Sequence, residues 1–255
     1  SIIGSAAYRV NIFTFHGFCN DLIKTYSEDF QEFLSRKPAN EIAQINLIRK
    51  TLLEAKPKIL SPFYDPYFYA KEILKTISSL KKEAVSFDEF LKILDQEKNG
   101  FDATTDLYYE SGRYKGRMKG KYVDIKKQLD KNFELQKLYS LYDKNLREAK
   151  LYDYDDMILE VLRALERNHN FLLSLQEKFQ YILLDEHQDT NNSQNKIVQC
   201  LGNFYDNPNL FVVGDAKQAI FRFQGASLEN FLYFKNLYPE SNLVSLKKNY
   251  RSTQA

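Results

Sequence analysis

The sequence predicts an α/β protein: a parallel sheet with helices on both faces, carrying an inserted all-helical subdomain. Short apolar, strand-like runs near both ends of the chain alternate with helical patterns, which is how a parallel sheet with crossover helices reads in sequence. Between about residues 28 and 179 the strand signal disappears and only helical periodicity remains. The expected organisation is one α/β domain made from residues 1–27 and 180–255, with residues 28–179 as the insertion.

Each element has its own signal. Val10 to Thr14 alternates like a strand, and Phe15, Phe18, Cys19, Leu22, Ile23 and Tyr26 then recur at helical spacing after a tight turn at Thr14 to Gly17. In the insertion, Ile42, Ile45, Ile48, Leu52 and Leu53 mark one helix, and Pro57, Pro62 and Pro66 impose a loop. Ile73, Leu74, Ile77 and Leu80 mark the next helix. Ser86 with Glu89 forms a capping box before Phe90, Leu91 and Leu94, and Asn99-Gly100 is expected to end that helix. A long helix is expected from near Asp124, carrying Ile125, Leu129, Leu138, Leu141 and Leu146, then another with Met157, Ile158, Val161, Leu162 and Leu165. Beyond Phe179, Tyr181–Leu184, Leu210–Val213 and Leu243–Leu246 read as short buried strands, with Ile197, Val198 and Leu201 lining the helix between the first two.

The bulk numbers bound the function. A chain with 44% hydrophobic and 27% charged residues fits a folded soluble protein. No apolar stretch is long enough for a bilayer and no signal-peptide pattern opens the chain, so a cytoplasmic protein without a membrane partner is expected. The start at Ser1 without Met suggests a piece of a longer chain. Cys19 and Cys200 lie far apart in apolar helical patterns, unlike a zinc or redox pair, and read as structural thiols. A net charge of +2 leaves nucleic-acid binding undecided. The absence of Trp confines base stacking to Phe and Tyr, with His or Arg as help.

The run Asp185-Glu186-His187-Gln188-Asp189-Thr190 directly follows the apolar Tyr181–Leu184 segment. Carboxylates at the C-terminal end of a buried strand suit a Mg²⁺-nucleotide site. One holds the ion, largely through water and phosphates, and the next orients or deprotonates an attacking water. A second strand-like run leads into Gly214-Asp215 and Gln218. Arg113, Lys115, Arg117, Lys119, Lys121, Lys126 and Lys127 form a basic stretch opposed only by Asp124, with Tyr114 and Tyr122 interleaved. It reads equally as a phosphate-tracking surface or as a solvated loop.

Five segments, in order, resemble motifs of superfamily 1 DNA helicases of the UvrD/Rep/PcrA type. Thr14-Phe15-His16-Gly17-Phe18-Cys19 resembles motif Ia, and Tyr154-Asp155-Asp156-Met157-Ile158 the short acidic motif before motif II. Asp185 to Asn191 resembles motif II, Val213 to Ala226 motif III, and Asn249-Tyr250-Arg251-Ser252 motif IV. The resemblance implies a RecA-like, P-loop NTPase motor fold and an ATP-dependent 3′-to-5′ helicase that uses ATP and Mg²⁺. Its partners would be single-stranded DNA and single-strand/duplex junctions, in DNA repair or recombination.

By the same resemblance, Asp185 would bind the metal, Glu186 would be the catalytic base, and Gln218 and Arg251 would face the γ-phosphate, Arg251 as an arginine finger. Gln188, Asp215 and Tyr250 would contact the nucleotide, Tyr250 beside the adenine. Phe15, His16, Phe221 and Phe223 would hold single-stranded DNA. Apart from the resemblance, Thr14 could donate to a backbone phosphate, and the basic stretch puts forward Arg113, Arg117 and Lys119 as DNA contacts if it tracks phosphates.

The chain departs from the family pattern in places. It contains no Gly-Lys-Ser/Thr phosphate loop, so this piece alone is expected to show no measurable ATPase. His187 stands where Tyr or Phe is usual, and Gln224 where an Arg is familiar. Two alternatives stay open at this level: a subunit of a RecB/AddA-like helicase-nuclease, and a non-catalytic DNA-binding module.

Overall fold

The structure, a computed structural model, describes residues 10–205, 207–215 and 228–246, and of residues 228–231 the backbone only. The order is α1 (Phe15–Thr25), a 3₁₀ turn (Ser27–Phe30), α2 (Gln31–Leu34), β1 (Lys37–Pro38), α3 (Glu41–Ala55), α4 (Ala70–Lys82), α5 (Phe87–Asp102) and α6 (Gly120–Glu148). It continues with β2 (Leu151–Tyr152), α7 (Tyr154–Arg167), α8 (His169–Lys178), β3 (Ile182–Leu184), α9 (Asn192–Gly202), β4 (Leu210–Val212) and α10 (Leu228–Leu237).

β3 and β4 pair in parallel, Ile182 opposite Leu210 and Leu184 opposite Val212, with α9 as the crossover. This is the α/β unit the sequence predicts. Alternation along the strands sends Ile182, Leu184, Leu210 and Val212 toward Phe15, Val198 and Phe234. Leu183 and Phe211 point the other way and are 72% and 64% exposed, so among the described residues only one face of this pair is covered.

Two expected strands do not form. Residues 10–14 are exposed, non-strand backbone running into α1, and residues 243–246 are likewise exposed coil. Alternating apolar residues become a strand only when a neighbour completes the hydrogen-bond ladder, and neither segment finds one among the described residues. Asn99-Gly100 does not end α5, which continues to Asp102. A glycine inside a helix costs only about 1 kcal/mol, and the next turn sets Phe101 edge-on to Tyr122 at 6.3 Å. α6 begins at Gly120 rather than near Asp124. α8 carries no expectation from periodicity; Asn168 both closes α7 and caps α8 by accepting from the Phe171 amide.

The apolar residues collect into two main cores. One joins α1, α7, α8 and α9 around Cys19, Leu22, Ile158, Val161, Phe171, Leu175 and Ile197. The other joins α3, α4 and α6 around Ile48, Leu52, Ile73, Ile77, Leu138, Tyr139 and Tyr142. The packing seam thus lies inside the 28–179 boundaries, since α7 and α8 pack with the terminal segments. The chain crosses the seam at β1 and returns at β2, and these two-residue strands pair in parallel, Lys37 with Leu151 and Pro38 with Tyr152. In the helical unit Glu134 accepts from three successive amides, Lys58, Ile59 and Leu60, at 2.8, 2.9 and 3.0 Å. That anchors the proline-rich loop between α3 and α4 to α6.

Candidate functional site

Asp185 and Glu186 sit on the rim where β3 ends, both solvent-exposed and neither with an ion-pair partner among the described residues. Two backbone bonds and one bond to a side chain weld this rim to the end of β4. The Val213 amide donates to the Leu184 carbonyl at 2.8 Å, the His187 amide to the Val213 carbonyl at 3.0 Å, and the Asp215 amide to Gln188 Oε1 at 2.9 Å. The buried Gln188 side chain also donates through Nε2 to Glu186 Oε2 at 2.5 Å. One amide therefore reads both strand ends: it holds the Glu186 carboxylate with one atom and the backbone of Asp215 with the other. Glu186 itself has φ +49°, in the left-handed region, which turns the chain sharply from β3 into the following 3₁₀ turn.

The rest of the run supports this turn. His187 is buried, its ring 5.2 Å from Phe234 of α10 and its Nε2 3.2 Å from Asn195 Oδ1. Burial holds its imidazole below the ordinary 6.5, against a weaker pull from the Asn195 hydrogen bond. Thr190 Oγ1 lies 2.7 Å from the His187 carbonyl, and Asn191 with Gln194 forms a capping box that starts α9. The carboxylates are thus displayed by a tightly bonded base.

Whether this rim fits a metal-nucleotide is a question of donors. No group of three His, Cys, Asp or Glu side chains gathers among the described residues. What the rim offers is adjacent, exposed carboxylates, which suits Mg²⁺ held by one or two protein oxygens with the remaining positions left to water and phosphate. Asp185, the carboxylate expected to take such a bond, is exposed, and its Oδ1 accepts from the Glu186 amide at 2.9 Å. Gln218, Tyr250 and Arg251, expected on the same site, and Phe221 and Phe223, expected on the DNA side, lie outside the described residues.

The start of α1 holds the other expected group. Thr14 caps the helix, its Oγ1 accepting from the Gly17 amide at 3.1 Å. Phe15 is half-buried and packs against the sheet core as well as the α1 core. His16 stands edge-on to Tyr154 with ring centroids 6.0 Å apart, and its buried Nε2 has no hydrogen-bond partner among the described residues. Tyr154 is 61% exposed. Sequence reasoning took Tyr154 only as part of an acidic motif; the signal it missed is an aromatic at the first position of a capped helix, where a ring is set outward.

The acidic residues beside Tyr154 behave quite differently from Asp185 and Glu186. Lys81, fully buried at the end of α4, donates to Asp153 Oδ2 and Asp156 Oδ1, each at 2.6 Å. Asp153 and Asp156 also form the capping box of α7. Burial would lower the Lys81 ammonium, but the two carboxylates outweigh it and raise it. For Asp156 burial raises the carboxyl, yet Lys81 and the hydrogen bonds of the cap win and hold it low. Asp153 is pushed up to about 6 by burial, with Lys81 opposing and the Asp156 charge assisting. This burial was foreseeable: Ile73, Ile77 and Lys81 share one face at i, i+4 spacing. Two further bonds extend the contact. Ser78 Oγ meets Asp155 Oδ2 at 2.5 Å, and Asn192, at the start of α9, donates to the Glu83 carbonyl at 2.9 Å. The end of α4 therefore touches both the helix that displays Tyr154 and the helix that follows Asp185–Thr190.

Arg113, Arg117 and Lys119 lie on a hairpin of the helical unit. Lys119 is bonded to Asp106, as is Lys121, and is not a free cation.

Comparison with known proteins gives a consistent picture. The family model described as the UvrD/REP helicase N-terminal domain matches residues 1–239. Among curated proteins, the chain is 31% identical over its whole length to the ATP-dependent DNA helicase PcrA of Bacillus subtilis (strain 168). It is 30% identical over 99% of its length to PcrA of Staphylococcus aureus (strain Mu50), and 36% identical over 99% to PcrA of Staphylococcus epidermidis. The chain spans 29% of the length of each of these relatives.

Proposed function

The chain belongs to the UvrD/REP helicase N-terminal domain family, and on that footing we propose that it is the first motor segment of an ATP-driven, 3′-to-5′ DNA helicase or translocase. Its setting would be cytoplasmic DNA repair or recombination. One observation carries this reading: Asp185 and Glu186 stand exposed at a parallel strand end while Gln188 ties Glu186 to the neighbouring strand end at Asp215.

Each residue then has a task. Asp185 takes one position on Mg²⁺. With ATP bound, the metal supplies charge stabilisation to the phosphoryl oxygens. Glu186 orients water and accepts its proton, and the Gln188 amide fixes the carboxylate that does so. Because Gln188 also grips the Asp215 backbone, any displacement of the loop after β4 is passed to Glu186. Gln218 and Arg251 are assigned to the γ-phosphate and Tyr250 to the adenine. On the DNA side, Thr14, Phe15 and His16 lie along single-stranded DNA with Phe221 and Phe223. We add Tyr154 to that set, as an exposed ring edge-on to His16. Stacking on such rings contributes about 1–3 kcal/mol per base without reading sequence.

The test uses the full-length protein, with single-strand-stimulated ATP hydrolysis and unwinding of a 3′-tailed duplex as readouts. Glu186→Gln is expected to lower turnover by about 10²- to 10⁴-fold and to leave single-strand binding intact. Turnover in that variant close to wild type, or a wild type indifferent to DNA, would overturn the reading.

A further inference from the structure

Residues 107–119 fold back on themselves as a hairpin between α5 and α6. The Lys119 amide donates to the Leu107 carbonyl at 2.9 Å, the Tyr109 amide to the Arg117 carbonyl at 3.0 Å, and the Gly116 amide to the Tyr109 carbonyl at 2.9 Å. Tyr108 pairs with Met118 across the antiparallel bridge. Gly112 and Gly116 take φ +79° and +78°, a conformation that glycine adopts without strain, and so close the turn. Leu107 is buried at the base. The basic stretch is therefore hydrogen-bonded structure, not a free loop.

Its charges divide into two groups. Near the base, Lys119 and Lys121 share Asp106, and further along Lys126 lies 4.0 Å from Asp130. Those cations are spent within the protein. At the tip, Arg113, Lys115 and Arg117 are exposed and have no ion pair among the described residues, and Glu110 is the one carboxylate in residues 107–119. Two of the hairpin's three tyrosines have ring neighbours, while Tyr108, opposite Met118 in the bridge, is 52% exposed. Tyr109 and Tyr114 lie against each other at 5.8 Å, Lys119 sits 5.8 Å from the Tyr109 ring, and Arg117 6.0 Å from that of Tyr114. Both tip rings thus have neighbours, Tyr114 remaining 50% exposed, and the tip's main feature is three exposed cations without an ion pair among the described residues.

We propose that this tip is a second DNA contact, in which Arg113, Lys115 and Arg117 grip the phosphates of a duplex, separate from the aromatic single-strand path. It rests on the motor reading only in taking DNA as the substrate. Duplex DNA carries one charge per about 1.7 Å of axis and is gripped through its phosphates; non-specific single-strand sites add free aromatic platforms to their basic groove. A braced hairpin with three cations outward and its two tip rings partnered matches the first. The contact would be indifferent to sequence, since phosphates position and bases specify.

The experiment compares the full-length protein with Arg113→Gln/Lys115→Gln/Arg117→Gln on two labelled probes: a duplex with a 3′ tail, and the tail alone. Binding is followed from about 50 to about 200 mM salt. The slope of log affinity against log salt is expected to flatten by about two to three on the tailed duplex. The tail alone and tail-stimulated ATP hydrolysis are expected to be unchanged, and the charge-conserving Arg113→Lys/Arg117→Lys to keep the wild-type slope. An unchanged slope on the tailed duplex, with DNA-stimulated turnover intact, overturns the hairpin proposal and leaves the motor reading standing. Equal flattening on the tail alone overturns the duplex assignment. A wild type that binds neither probe removes the motor reading and this one together.

Discussion

Two acidic groups in this molecule look alike in sequence and are opposites in space. Asp153 and Asp156 begin α7 and are buried around Lys81, with every near bond made inside the protein. Asp185 and Glu186 follow β3 and stand in solvent on a bonded base, with no cation beside them among the described residues. Burying a charge is tolerable only when it is paired and hydrogen-bonded, so the first group is committed to holding helices together. The second makes no such commitment among the described residues. An acidic pair is thus informative about ligand chemistry only once the location of its counter-charge is known.

Changes at each group should separate the two roles, the largest effects coming first. Glu186→Gln, already expected to cost turnover by orders of magnitude, should shift unfolding by urea by no more than about 0.5 kcal/mol; a large loss of stability there would erase the distinction. Lys81→Met should do the reverse. It strands two buried carboxylates and is expected to destabilise by about 3–5 kcal/mol, whereas Lys81→Met/Asp153→Asn/Asp156→Asn should recover most of that. If the single variant unfolds like wild type, the trio is not structural.

A smaller effect comes from His187, the buried link between the exposed carboxylates and α10. Its folded value lies below the ordinary 6.5 because burial disfavours the charged ring. The stability it contributes is therefore present above 6.5 and lost as pH falls from there toward the folded value. Between about pH 7 and about pH 5.5, the urea midpoint should shift downward in wild type relative to His187→Phe, while Asp153, pushed up to about 6, favours the fold at lower pH in both. Parallel pH profiles in the two would remove His187 as a source of acid sensitivity.

Much of this was legible in the residues, and the failures share a cause. The capping box at Ser86, the helices of the insertion and the paired strands at 182–184 and 210–212 are local patterns, and they formed. The carboxylate rim was legible because charge directly after an apolar strand is hard to explain otherwise. Residues 10–14 and 243–246 failed as strands because strandness is a property of pairs, and a sequence does not say which partner arrives. The grip of Gln188 on Glu186 and Asp215, and the meeting of His16 with Tyr154, join residues far apart in the chain; only the fold brings them together. Lys81 is the instructive middle case. Its burial was written in its spacing from Ile73 and Ile77, but its two partners were not.

The left-handed backbone at Glu186 has one more consequence. A non-glycine residue held there costs about 1–2 kcal/mol in backbone strain. Glu186→Gly would relieve that strain at the loss of the Gln188 bond, and is expected to leave the chain as stable as wild type or more stable by up to about 1 kcal/mol, while removing the carboxylate outright. Position 186 is then a place where drift, freed from the demand for turnover, has a downhill route. In lineages of this fold that have stopped working as motors, glycine at this point should be an early scar, appearing while the buried trio around Lys81 is still intact.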